Sequence, residues 1–247
     1  EDESTIRNIY SVFSEFAIPV TDTLELQAAI RYEDYGGITG SSIDPKLAAS
    51  WTLTDWLKLR GSASTTFRGP PQSYLAGTDT SLGFITAALA FKAVDVKSNP
   101  NLKAETAVAT NLGFIIDTGA FRASLDWYRF DISDPFQTES ATNVLEQYTA
   151  LGCEAGGAGD GTADCEILRT HVFPYATTAA SLERLEVNII NGNKQKGSGL
   201  DLAINYSIKD VLGGNLSLGL QGTKILAFES DDFKDCYCLK AVTMLDF

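Results

Sequence analysis

The run Leu24-Glu25-Leu26-Gln27-Ala28-Ala29-Ile30-Arg31-Tyr32-Glu33-Asp34-Tyr35 alternates with a period of two. Leu24, Leu26, Ala28, Ile30 and Tyr32 fall on one side of an extended chain. Glu25, Gln27, Ala29, Arg31 and Glu33 fall on the other, so the segment reads as a strand between two different environments. The same pattern recurs outward from this run. Leu57, Leu59, Gly61, Ala63, Thr65 and Phe67 oppose Lys58, Arg60, Ser62, Ser64, Thr66 and Arg68. Thr106, Val108, Thr110, Leu112, Phe114 and Ile116 oppose Glu105, Ala107, Ala109, Asn111 and Gly113. Leu200, Leu202, Ile204, Tyr206 and Ile208 oppose Asp201, Ala203, Asn205 and Ser207. Ile9–Ile18, Lys46–Leu53, Phe121–Asp131 and Leu216–Phe228 complete a set of eight principal strands, and helical periodicity is scarce.

Strand length and loop size together narrow the architecture. Strands of soluble sandwiches average about five or six residues. Several of these sustain alternation for about ten, the length of a tilted membrane-spanning strand. Short turns at Val20–Thr23, Thr54–Asp55, Asp117–Gly119 and Lys209–Gly214 alternate with excursions at Gly36–Asp44, Gly69–Lys103 and from about Ser133 to Leu182. This predicts an all-β fold, part of an antiparallel transmembrane β-barrel with short periplasmic turns and long extracellular loops. The polar positions Arg31, Glu33, Lys58, Arg60, Arg68, Glu105, Asn111, Arg122, Asp126, Asp201 and Asn205 are expected to face the lumen. Tyr32, Trp51, Trp56 and Trp127, with Tyr35 and Tyr128 beside them, are expected to form interface aromatics near strand ends.

Composition excludes several classes. With 19 basic and 32 acidic residues among 247, the net charge of −13 has the wrong sign for a nucleic-acid binder. Apolar residues at 44% and charged residues at 21% exclude a disordered polyampholyte. The most apolar stretch, Gly83–Phe91, is interrupted by Thr86 and is too short for a spanning helix. The chain opens Glu-Asp-Glu-Ser without the pattern of a secretory signal. Cys153 and Cys165 flank a Gly/Asp-rich stretch and are expected to form a loop-closing disulfide, whereas Cys236 and Cys238 of Cys236-Tyr237-Cys238 would pair poorly with each other in an extended segment. The one histidine, His171, lacks a Gly-x-Ser-x-Gly partner motif. Gly192–Ser198 has phosphate-loop glycine spacing but carries serine where lysine is required. Gly156–Asp164 offers carboxylates without the full calcium-loop pattern and reads as a polar loop tip. No catalytic residue, metal ligand or cofactor is expected.

Several segments resemble the barrel of TonB-dependent outer-membrane receptors. Ser11-Val12-Phe13-Ser14-Glu15-Phe16-Ala17-Ile18-Pro19 followed by Leu24–Tyr35 is similar to a hairpin of that barrel. Pro45-Lys46-Leu47 leading to Trp51, and Phe67-Arg68-Gly69-Pro70-Pro71 rising into a long loop, resemble the family in the same way. Asn99-Pro100-Asn101-Leu102-Lys103-Ala104-Glu105 is similar to its Asn-Pro-x-Leu-x-x-Glu strand entry, and Gly199-Leu200-Asp201 to its Gly-[Ile/Leu]-[Asp/Glu] strand start. The resemblance implies a receptor that imports a scarce nutrient (an iron chelate, cobalamin or a glycan) through a plugged barrel in the bacterial outer membrane. Its partners would be lipid, cargo, plug and an inner-membrane energy-coupling protein. Barrels of this kind use 22 strands, or roughly 220 residues in strands alone. The chain is therefore expected to be part of a barrel without the plug, with residues 1–228 as barrel and 229–247 as a loop start and atypical tail. Two rival readings are a self-contained eight-stranded outer-membrane barrel and a soluble secreted glycan-binding β-protein.

Overall fold

The computed structural model describes residues 7–211 and 213–230. In chain order its strands are β1 (Tyr10–Pro19), β2 (Leu24–Asp34), β3 (Ser41–Thr54), β4 (Leu57–Arg68), β5 (Thr78–Ile85), β6 (Ala90–Lys97) and β7 (Glu105–Asp117). β8 (Phe121–Ser133), β9 (Phe136–Thr138), β10 (Val172–Phe173), β11 (Arg184–Asn191), β12 (Gln195–Val211) and β13 (Gly214–Ser230) follow. The helices are α1 (Gln72–Leu75), α2 (Ala141–Leu151) and α3 (Ala163–Arg169). The chain divides into two compact units.

The first unit is an antiparallel sheet of eight strands in the order β1-β2-β3-β4-β7-β8-β12-β13. These are the eight strands expected from alternation, and every pairing between them is antiparallel. β1 and β13 lie at the two ends of this path rather than beside one another. The register keeps apolar residues together on one face, with Leu26 opposite Ala49, Leu59 opposite Phe114, Leu112 opposite Trp127 and Leu125 opposite Leu202. Because the side-chain period is two, a one-residue slip at any pair would mix the two faces. Apolar side chains of this face are exposed: Ile43 by 64%, Leu47 by 58% and Leu112 by 57%. β13 runs through Ser230, two residues beyond the expected boundary at Phe228. Cys236, Cys238 and the remaining tail lie outside the described residues.

The second unit comprises residues 70–103 and 136–191, the two long excursions that join β4 to β7 and β8 to β12. Alternation had assigned them to loops, but they carry a sheet of their own. β5 pairs with β6 as a hairpin, β6 pairs in parallel with β11, and β11 pairs antiparallel with β9 and β10. The parallel contact, Leu185 opposite Val94 and Val187 opposite Val96, joins the two excursions into one body. Its core gathers Ile85, Val94, Leu145, Tyr148, Val172, Leu182, Leu185 and Val187 with Cys153 and Cys165. α2 starts at Ser140, whose hydroxyl accepts from the Asn143 amide, and stops at Gly152, whose φ of 67° suits glycine. Cys153 and Cys165 are joined by a disulfide with Cα atoms 5.0 Å apart.

Candidate functional site

The polar face of the eight-stranded sheet concentrates the charged groups. Arg31, Glu33, Lys58, Arg60, Arg68, Glu105, Asn111, Arg122, Asp126, Asp201 and Asn205 all fall on this one face by the pairing register. Several pair directly across strands. Arg68 and Glu105 are register partners joined at 2.8 Å, and Arg122 meets Asp117 at 2.7 Å. Arg31 donates to Glu33 on its own strand, and the Thr223 hydroxyl donates to Asp201 at 2.6 Å. Asn205 lies opposite Arg122 and Gly219, and Asn111 opposite Ser62 and Tyr128. Strand parity also places Asp44 and Lys46 of β3 on this face, both absent from the expected set.

One charge pair on this face crosses an intervening strand. Arg60 of β4 donates through Nε and Nη2 to both carboxylate oxygens of Asp126 of β8, at 2.8 and 2.5 Å. β7 lies between them, and the residue level with both is Gly113. The absence of a side chain there lets the guanidinium pass over β7, a reach of about two strand spacings or 10 Å. The row continues through Asp201 to Thr223. Asp126 is 7% exposed, so its charge is held by this pairing rather than by water.

One register row toward the long-loop end, aromatic rings lie over glycines. Gly199 is opposite Tyr128 and Gly197 is opposite Phe130. A Cβ on either glycine would collide with the facing ring. The two rings are parallel within 3°, with centroids 6.5 Å apart. Tyr128 therefore stands on the polar face, which corrects its grouping with the interface aromatics: its neighbour Trp127 points to the opposite face, as period two requires. Tyr32 and Trp51 share the apolar face with Trp127, and Trp56 sits in the β3–β4 turn. Gly199→Val is expected to destabilise the sheet by about 1–3 kcal/mol through overpacking. Tyr128→Ala in the same chain should restore part of the loss, measured as a shift of the thermal unfolding midpoint in detergent.

In the second unit, Arg169 is almost fully buried and anchors the stretch between the disulfide cysteines. Its Nε donates to the Cys153 carbonyl at 2.6 Å and its Nη2 to the Glu154 carbonyl at 3.3 Å. Asp160 and Glu166 accept at 2.6 and 2.7 Å. The Gly156 amide and Arg169 hold the Asp160 carboxyl below its ordinary value of 3.8, and the Tyr175 hydroxyl and Arg169 lower Glu166 from 4.5. Depressed carboxylates stabilise the fold above the pKa of the unfolded chain, and that stability is lost as pH falls through the folded values. Amide protection of residues 153–165 should therefore be full at neutral pH and begin to fall only once the pH drops below these ordinary values. Hydrogen exchange across a pH series checks this. His171 is buried elsewhere in this unit, its Nδ1 2.7 Å from the Glu186 carbonyl. Among the described residues no cluster of side chains has the makings of a metal site.

These features place the chain in a known family. The model of the family described as "TonB dependent receptor-like, beta-barrel" matches residues 1–235, and the chain belongs to it. The chain is 28% identical over 221 residues to the probable TonB-dependent siderophore receptor PirA of Acinetobacter baumannii, covering 82% of this chain and 28% of that relative. It thus spans less than a third of that curated relative's length. The siderophore receptor PirA of Pseudomonas aeruginosa superposes with a TM-score of 0.63 at 17% identity, covering 90% of this chain and 35% of that one. The ferric enterobactin receptor PfeA of the same organism gives 0.59 at 19%, covering 89% and 26%. At these identities the structural likeness speaks for the fold.

Proposed function

We propose that the eight-stranded sheet is a wall of an outer-membrane receptor barrel that takes up an iron chelate of the siderophore class. The observation that carries this reading is the division of the sheet into two faces. One is largely apolar and exposed, where charges such as Arg129, Asp131, Lys196 and Lys224 lie toward the long-loop end, and the other is lined with charged groups along its length. A soluble sheet would bury its apolar side chains, whereas a barrel wall turns them to lipid and its charges to the lumen. The named relatives, siderophore receptors, favour an iron chelate over cobalamin or a glycan. In this reading the short turns are periplasmic and the second unit is extracellular, where it contacts cargo. A plug fills the lumen and couples to an inner-membrane energy-transducing protein. Deleting the gene in its own host, followed by uptake of ⁵⁵Fe supplied on a panel of siderophores, tests the assignment. Loss of uptake from at least one ferric siderophore is expected. Unchanged iron uptake together with loss of cobalamin or glycan uptake would replace it.

A further inference from the structure

Beyond the loop's own backbone turns, such as the Gly157 amide on the Glu154 carbonyl and the Thr162 amide on the Gly159 carbonyl, three elements could set the shape of the loop between Cys153 and Cys165. They are the disulfide, a bound metal suggested by the acidic Gly-rich stretch, and the buried Arg169 side chain. The contacts separate them. The disulfide fixes only the two ends of the loop. Arg169 touches the start of the loop at the Cys153 and Glu154 carbonyls, its middle at Asp160, and the helix beyond it at Glu166. Two carbonyl and two carboxylate oxygens converging on one centre form the kind of oxygen cage that suits a cation. Here the guanidinium occupies that centre. The surrounding shell supports it: Asp160 is fixed by the Gly156 amide at 2.9 Å, Glu166 by the Tyr175 hydroxyl at 2.6 Å, and the Tyr175 ring centroid lies 5.8 Å from the guanidinium carbon. α3 delivers Arg169 to this position, its first turn capped by Thr162 at the end of the loop itself.

We infer that Arg169 is the fixed internal cation of the 153–165 loop and that it, rather than the disulfide or a metal ion, sets the loop's conformation. The loop is then held in the same shape whether the thiols are oxidised or reduced and whether or not divalent cations are present. The inference stands apart from the cargo assignment, because it concerns the loop's conformation and not what the receptor binds.

The test is hydrogen exchange of residues 153–165 in the receptor as its host makes it, purified in detergent. Four states are compared: untreated, reduced with dithiothreitol, treated with EDTA, and Arg169→Met with the disulfide intact. Charge-assisted hydrogen bonds to a buried guanidinium are each worth about a factor of ten in an opening equilibrium. Reduction and chelation should each change loop exchange by less than about threefold, and R169M should raise it by about tenfold or more. If reduction or chelation alone opens the loop as far as R169M does, the inference is overturned. It is equally overturned if R169M leaves the loop protected. Should R169M fail to fold, Asp160→Asn decides: it removes one carboxylate while leaving Arg169 and the disulfide in place. Faster exchange confined to 153–165 supports the inference, and unchanged exchange overturns it.

Discussion

Leu202→Arg is expected to cost about 2–4 kcal/mol in a lipid bilayer, whereas Ala203→Arg, one residue along the same strand, should change stability by less than about 0.5 kcal/mol. Leu202 lies opposite Leu125 on one side and Gly222 on the other, between Leu200 and Ile204, in the centre of the apolar face. A guanidinium there would have to shed water into hydrocarbon or drag water into the bilayer. Ala203 lies opposite Ser124 and Gln221 on the polar face, next in parity to Asp201 and Asn205, where a cation has room and an anion nearby. Urea unfolding of the receptor in lipid vesicles measures both, with heat-modifiable gel mobility as a check on folding. Equal costs for the two substitutions would mean that the apolar face does not meet lipid.

Gly113→Leu should be the most damaging single change on the polar face. A Cβ at this position would strike the Asp126 carboxylate and come within 2.7 Å of the Leu125 carbonyl oxygen. The larger side chain would also fill the path by which Arg60 crosses β7. Breaking a buried ion pair by removing one partner costs about 3–5 kcal/mol. Arg60 keeps 42% of its side chain exposed, so about 2–3 kcal/mol is expected here. Asp126→Asn should cost less than Gly113→Leu, because the amide keeps a hydrogen-bonding partner for Arg60 without a steric clash. Adding Arg60→Met to Gly113→Leu should cost less than the sum of the two single changes, since both remove the same contact. Additive losses would show that the clash alone, not the broken pair, is responsible.

Local alternation made the eight-stranded sheet legible. In the Leu24–Tyr35 run each residue declares its face, and β2 ends at Asp34, within one residue of that run. Parity alone also assigns Asp44 and Lys46 to the charged face, and separates Tyr128 from Trp127. The second unit was not legible in this way. β6 and β11 are separated in sequence by the whole of β7, β8, β9, α2, α3 and β10, so nothing local marks the two as parallel neighbours. Leu185, Val187 and Ile189 do alternate with Glu186 and Asn188, but a run this short inside a long excursion does not announce a strand or name its partner. Arg169 and Gly113 escaped for opposite reasons. An arginine next to a Gly/Asp-rich loop looks like a solvated charge until its carbonyl partners are known. A glycine at a polar-face position looks like a missing residue, although its lack of a side chain is its contribution.

The Arg60–Asp126 contact spans two strand interfaces at once, and this gives it a role in assembly distinct from its energy. A pair between neighbouring strands confirms only the one register that joins them. This pair forms only if the β4–β7 and β7–β8 alignments are both correct: a slip of one residue at either interface sends one partner to the opposite face, and a slip of two moves it along the wall by about 7 Å. The contact thus works as an error-detecting code for the sheet. It completes when two independent alignments agree, and a misregistered intermediate would keep a nearly buried carboxylate without its cation until the strands re-pair.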